Sequence, residues 1–90
     1  MKLVINAKYG GFGLSKEAYE FLGLEWDRFG FASEVKRNDP RLVECVEKLG
    51  EKANGPVAEL KVVQIPDDVR WVIEDYAGLE WVAEEHRVWS

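Results

Sequence analysis

Two groups of residues have types and spacings that could do chemistry. The first is Tyr9-Gly10-Gly11-Phe12-Gly13-Leu14-Ser15-Lys16. A glycine-rich loop that leads into a helix start presents free backbone amides, and the helix dipole there favours negative charge. Glycine also lets a phosphate approach the backbone closely. Gly10, Gly11, Phe12, Gly13, Ser15 and Lys16 are therefore candidate ligand-binding residues for a small anion or nucleotide, with Lys8 able to add charge. The specific nucleotide motifs are not met. A Walker loop ends Gly-Lys-Ser/Thr, whereas this one ends Gly-Leu-Ser-Lys. The dinucleotide fingerprint has its third glycine where Lys16 stands. The structural alternative is a tight turn whose glycines take positive φ.

The second group is the polar set Glu80, Glu84, His86 and Arg87. On a strand, Glu80, Glu84 and His86 share a face, and carboxylates beside an imidazole can bind metal or move protons. One histidine and one distant cysteine cannot build a common zinc site, so neither a metal nor a cofactor is implied. The competing reading is a solvated strand face with a cross-strand ion pair. Cys45 has acidic neighbours, Glu44 and Glu47, the opposite of what activates a thiol, and reads as packing. Ser15, Ser33 and Ser90 lack the Gly-x-Ser-x-Gly setting of a hydrolase nucleophile. No residue is assigned a catalytic role. A third resource is an exposed aromatic supply, with Trp26, Phe29, Phe31, Trp81 and Trp89 able to anchor an interface where they remain at the surface.

These residues need elements to hold them. Lys2–Asn6 reads as a short buried strand. Ser15 is a good N-cap for a helix over residues 16–22, with Leu14 and Tyr19 placed as a hydrophobic staple and Gly23 as an αL stop. Residues 24–38 predict a loop whose aromatics fold onto the domain. Asp39-Pro40 starts a second helix, with Leu42, Val43, Val46 and Leu49 on one face. Strands follow from about Ala58 to Val63 and from Val69 to Tyr76. Ala77-Gly78 is a two-residue hairpin turn, and residues 79–89 favour a strand over a helix. The expectation is an α+β domain spanning residues 1–90, two helices packed on a small antiparallel sheet, in the order β-α-α-β-β-β.

Composition narrows the function classes. The chain of 90 residues is 47% hydrophobic and 12% aromatic, too apolar for a disordered tail. No apolar run approaches the roughly 18 residues that span a bilayer, and the first six residues are too short for a signal-peptide core. A lone cysteine fits a reducing compartment. The net charge of −5 is unevenly spread: residues 1–56 balance, with nine acids and nine bases. Residues 57–90 hold Glu59, Asp67, Asp68, Glu74, Asp75, Glu80, Glu84 and Glu85 against Lys61, Arg70 and Arg87. That imbalance argues against nucleic acid as the main partner and suits a basic protein surface.

Four stretches resemble a small uncharacterised family of tailed bacteriophages, prophages and bacteria. They are Val4-Ile5-Asn6 with Tyr9–Ser15, the Asp39-Pro40 helix through Asn54-Gly55, Ala58 through Val69, and Glu80-Trp81-Val82-Ala83-Glu84 through His86, Arg87 and Trp89. The resemblance covers nearly the whole chain, and members of the family often carry a longer segment before the Asp-Pro start. It implies a phage context in the bacterial cytoplasm and brings no catalytic residue with it. The expected function is a binding protein that occupies a host protein, such as a defence component, or sequesters a small anionic ligand. The alternatives are a self-assembling homo-oligomeric domain, or a small enzyme using Glu84 and His86 on a substrate held at the glycine loop.

Overall fold

A computed structural model describes residues 1–84. Strand β1 spans Lys2–Asn6, and everything in it after Lys2 is buried. It pairs antiparallel with β2, Leu60–Gln64, in a register that sets Val4 opposite Val62 and Asn6 opposite Leu60. The ladder extends at both ends, from Ala7 N–H to Glu59 O at 2.7 Å and from Ile65 N–H to Met1 O at 2.9 Å.

Helix α1, Lys16–Leu22, starts and stops where its sequence says it should. The Ser15 hydroxyl accepts from Ala18 N–H at 3.1 Å, and Gly23 ends the helix at φ 72°. Helix α2, Pro40–Leu49, has Asp39 as its cap, accepting from Arg41 N–H at 2.8 Å, and proline at its first position. Leu42, Val43, Cys45 and Val46 are buried on one side of it. A 3₁₀ turn over Gly50–Ala53 follows. The core joins these residues to Val4, Leu14, Ala18, Tyr19, Ala32 and Ala53, with Leu60 and Val62 of β2 packed against it.

Strands β3, Trp71–Tyr76, and β4, Leu79–Glu84, form an antiparallel hairpin. Its turn is Ala77-Gly78, with φ of 51° and 91°, the two positive values that a tight turn between twisted strands requires. The class is α+β and the order β-α-α-β-β-β. The strands form two separate two-stranded sheets, β1–β2 and β3–β4. The strand reading of residues 79–89 holds for the described part, Leu79–Glu84.

Residues 24–38 contain neither helix nor strand. Their aromatics divide. Trp26 packs edge-on against Tyr19, with ring centroids 5.0 Å apart. Phe29 and Phe31 do not fold onto the domain as expected. They stand in solvent, stacked on each other at 5.9 Å.

No helix among the described residues is long and apolar enough to cross a membrane. Leu42 is fully buried between the elements of the core. Leu42→Ala is expected to lower stability by about 2–5 kcal/mol. For a domain whose total is about 5–15 kcal/mol, this shifts the urea midpoint well below that of the wild type.

Candidate functional site

The edge of β1 away from β2 has no strand hydrogen-bonded to it; β4 lies alongside, and charged side chains take the place of a ladder. Val4 N–H donates to Arg37 O at 2.9 Å, and the Arg37 guanidinium donates back to Val4 O at 3.3 Å. Two residues on, Asn6 N–H donates to Glu80 Oε1 at 2.8 Å. Arg37 and Glu80 then bind each other through both arms, at 2.5 and 2.8 Å. The Glu80 side chain is 9% exposed, and the guanidinium lies 3.7 Å over the Phe12 ring. Such a two-armed, stacked geometry is specific to arginine.

Asn6 extends the network. It is wholly buried, and its amide nitrogen donates to Lys8 O and Gly78 O, each at 2.7 Å. Its carbonyl accepts from Glu59 N–H at 2.8 Å. One side chain thus ties β1 to the loop after it, to the hairpin turn and to the approach to β2. Among the described residues no buried side-chain polar atom lacks a partner.

This arrangement brings together two residues from different candidate groups, Phe12 of the glycine loop and Glu80 of the polar set, through Arg37. Glu80 is held by three donors and is a clamp, not a free base. Glu84 is exposed at the far end of β4, and His86 and Arg87 lie outside the described residues. The glycine loop meets the hairpin at its turn. Glu84 is six residues beyond Gly78, about 20 Å along the strand. Among the described residues no group of three or more His, Cys, Asp or Glu could hold a metal ion. Cys45 is buried, and that burial pushes its thiol above the usual range.

The glycine loop is a crossing of backbones. Gly10 and Gly11 have φ of 121° and 111°. A Cβ on Gly78 would lie 2.2 Å from Gly11 N, and one on Gly55 would lie 2.9 Å from the Gly13 carbonyl carbon. Gly10 N–H donates to Ala77 O, Leu14 N–H to Gly30 O and Ser15 N–H to Ala53 O, at 2.8–3.0 Å. The Ser15 hydroxyl caps α1 and donates to Lys52 O at 2.5 Å. Lys8 and Lys16 are exposed. Of the groups assigned to an anion, the Gly10 and Ser15 amides and the Ser15 hydroxyl are thereby engaged within the chain.

Two exposed aromatic surfaces remain. On the outer face of the hairpin, Val72, Tyr76 and Trp81 are exposed, with Leu79 and Ala83 between them. Tyr9 packs edge-on to Tyr76 at 6.5 Å, and Trp81 Nε1 donates to Glu74 at 3.1 Å. The second surface is the Phe29–Phe31 pair. Asp27 accepts from Phe29 N–H and Gly30 N–H at 2.9 and 2.8 Å. Tyr19 O–H donates to Asp27 at 3.3 Å and accepts from Ala32 N–H at 2.8 Å. Arg28 and Ala32 take positive φ of 72° and 46° so that the loop can close on these contacts. Trp89, a further candidate anchor, lies outside the described residues.

Sequence reasoning singled out Glu80 and Phe12 but missed Asn6 and Arg37. A local signal existed for Asn6, a polar residue ending an apolar strand. None existed for Arg37, whose partner is 43 residues away. Compared with protein-family models, curated proteins and solved structures, the chain matches none.

Two outcomes follow. Removing one member of the clamp strands the other, so Glu80→Ala and Arg37→Ala should each cost about 3 kcal/mol in urea unfolding. The double variant should cost little more than either single one. The amides of Gly30 and Phe29 hold the Asp27 carboxyl below its ordinary range. Its contribution is therefore present above the ordinary value and is lost as pH falls through the lowered one. Acidification should lower the protection of the Phe29 and Gly30 amides, measured by NMR as exchange relative to the intrinsic rate at each pH. Asp27→Ala should show the same low protection already at neutral pH.

Proposed function

We propose that the chain is a small bacteriophage- or prophage-encoded binding protein that acts by occupying a protein of its bacterial host, in the host cytoplasm. The observation that carries this reading is the outer face of the β3–β4 hairpin. A solvated strand face normally alternates to polar residues, yet this one shows Val72, Tyr76, Leu79, Trp81 and Ala83, with Glu74 the one charge among them. Tyrosine and tryptophan on a fixed scaffold are efficient anchors, because they bring large contact area at low entropy cost. The hairpin and its approach carry Asp67, Asp68, Glu74, Asp75, Glu80 and Glu84 against the single base Arg70. The matching partner surface is an apolar patch rimmed by Lys and Arg.

The alternative ligand, a small anion at residues 10–16, has less support. The amides of Gly10, Leu14 and Ser15 already have partners. An enzyme using Glu84 with the same loop has less still, because the two sit at opposite ends of β4.

The test compares the wild type with Tyr76→Ser/Trp81→Ser and with Lys16→Glu in capture from bacterial lysate, followed by titration of the captured protein. Loss of anchors worth about 2 kcal/mol predicts binding about 30-fold weaker for the hairpin variant and little change for Lys16→Glu. Equal capture by all three proteins would overturn the reading. So would a nucleotide in the native mass spectrum that Lys16→Glu loses.

A further inference from the structure

The hairpin docks on the domain through β4 and its turn. Glu80 reaches Asn6 and Arg37, Gly78 O accepts from Asn6, and Ala77 O accepts from Gly10 N–H. Among the described residues strand β3 is consequently the outermost strand, paired on one side only. The two-residue turn makes Tyr76–Leu79 a hydrogen-bonded pair, so Glu74–Trp81 and Val72–Ala83 are hydrogen-bonded too. The N–H and C=O groups of Trp71, Ile73 and Asp75 therefore point away from β4, along the free edge. None of them has a partner among the described residues.

Edges of this kind are usually blunted by lysine, proline or a bulge. Strand β3 is Trp-Val-Ile-Glu-Asp-Tyr and has none of these, its charges being Glu74 and Asp75 in its second half, so any pairing must keep these carboxylates apart. Beside its start, between Trp71 and the segment 33–38, lies an open depression of about 540 Å³.

We infer that the occupant of this edge is a second copy of the chain, its β3 antiparallel to the first about a two-fold axis at Ile73, giving a continuous four-stranded sheet β4-β3-β3-β4. Two-fold pairing keeps each face on its own side only when a residue meets one of the same parity, so the axis passes through a residue, and of the six in β3 only Ile73 or Glu74 at the centre leaves five residues of each strand paired. Centring on Glu74 sets two carboxylates directly opposite each other in a close, non-hydrogen-bonded pair, which is unfavourable. Centring on Ile73 removes that conflict. Trp71 then meets Asp75 of the second copy, and the outward groups of Trp71, Ile73 and Asp75 satisfy one another. Val72 meets Glu74, and Arg70 meets Tyr76. Arg70 also becomes a diagonal neighbour of the second copy's Glu74, and it is the sole base between Lys61 and Glu84. Charge therefore selects the register. The outer aromatic face stays open in this dimer and is doubled in area, so the pairing does not depend on the host-protein reading.

Val72 is exposed on the outer face and directly opposes Glu74 in this register. Val72→Glu places like charges opposite each other twice per dimer, and Val72→Lys places opposite charges there. Sedimentation velocity over a concentration series is expected to show a wild-type dimer. Val72→Glu should dissociate about tenfold more readily, and Val72→Lys should hold as tightly as the wild type or tighter. Circular dichroism should be the same for all three. The Trp71, Ile73 and Asp75 amides should exchange more slowly as wild-type concentration rises, and this protection should be lost in Val72→Glu. A wild type that stays monomeric at its highest soluble concentration overturns the inference. So does a dimer that both substitutions weaken equally, or one that leaves those amides unprotected.

Discussion

The Glu80 carboxylate and the Arg37 guanidinium stand where a third strand would stand beside β1. They receive Asn6 N–H and serve Val4 O, while the Arg37 backbone receives Val4 N–H. A two-stranded hairpin is marginal by itself in water. The β3–β4 pair is made part of the domain by this ion pair and by Asn6, which reaches the hairpin turn at Gly78. The pair is close to buried, so each charge depends on the other and on the donors around them. The Phe12 ring under the guanidinium covers one face of that charge and links the clamp to the glycine loop.

The glycines belong to the same assembly. Gly78 lies against Gly10 and Gly11, and Gly55 against Gly13, at distances no side chain could occupy. Close backbone approach lets carbonyls at 30, 53 and 77 take the amides of the loop. A loop with the composition of an anion cradle has thus become a junction between the hairpin, the 3₁₀ turn and the Phe29–Phe31 loop. The same residue types serve either use, and the partner backbones around them decide which.

Local chemistry was legible in the sequence. Ser15, Gly23 and Asp39-Pro40 marked helix ends because a cap acts within four residues of itself. The Ala77-Gly78 turn and the apolar face of α2 were readable for the same reason. Contacts across the chain were not. Nothing near Arg37 announces Glu80, and the joining of β1 to the hairpin through side chains, not a ladder, leaves no alternating pattern. Phe29 and Phe31 admit two readings from the sequence, folded onto the domain with the rest of their loop or exposed where they can anchor an interface, and the structure bears out their exposure. The turn closed by Asp27, with Arg28 and Ala32 at positive φ, points them outward. Of the candidate site, Glu80 and Phe12 were named from the sequence, but for chemistry rather than for holding the hairpin in place.

The separation of Asn6 from its partners has a consequence for how the chain is made. Strand β1 leaves the ribosome well before the residues that complete it, since Glu59 is 53 positions later and Gly78 is 72. Through most of synthesis Leu3, Val4 and Ile5 have neither their paired strand nor their clamp, while both helices can already form. Contacts this distant in sequence are slow to close, and an unpaired apolar strand is the part of a nascent chain most open to wrong partners. Of the two strands joined through side chains, β1 is made long before the hairpin that completes its outer edge, so the yield of folded protein depends on how β1 is sheltered until the hairpin arrives.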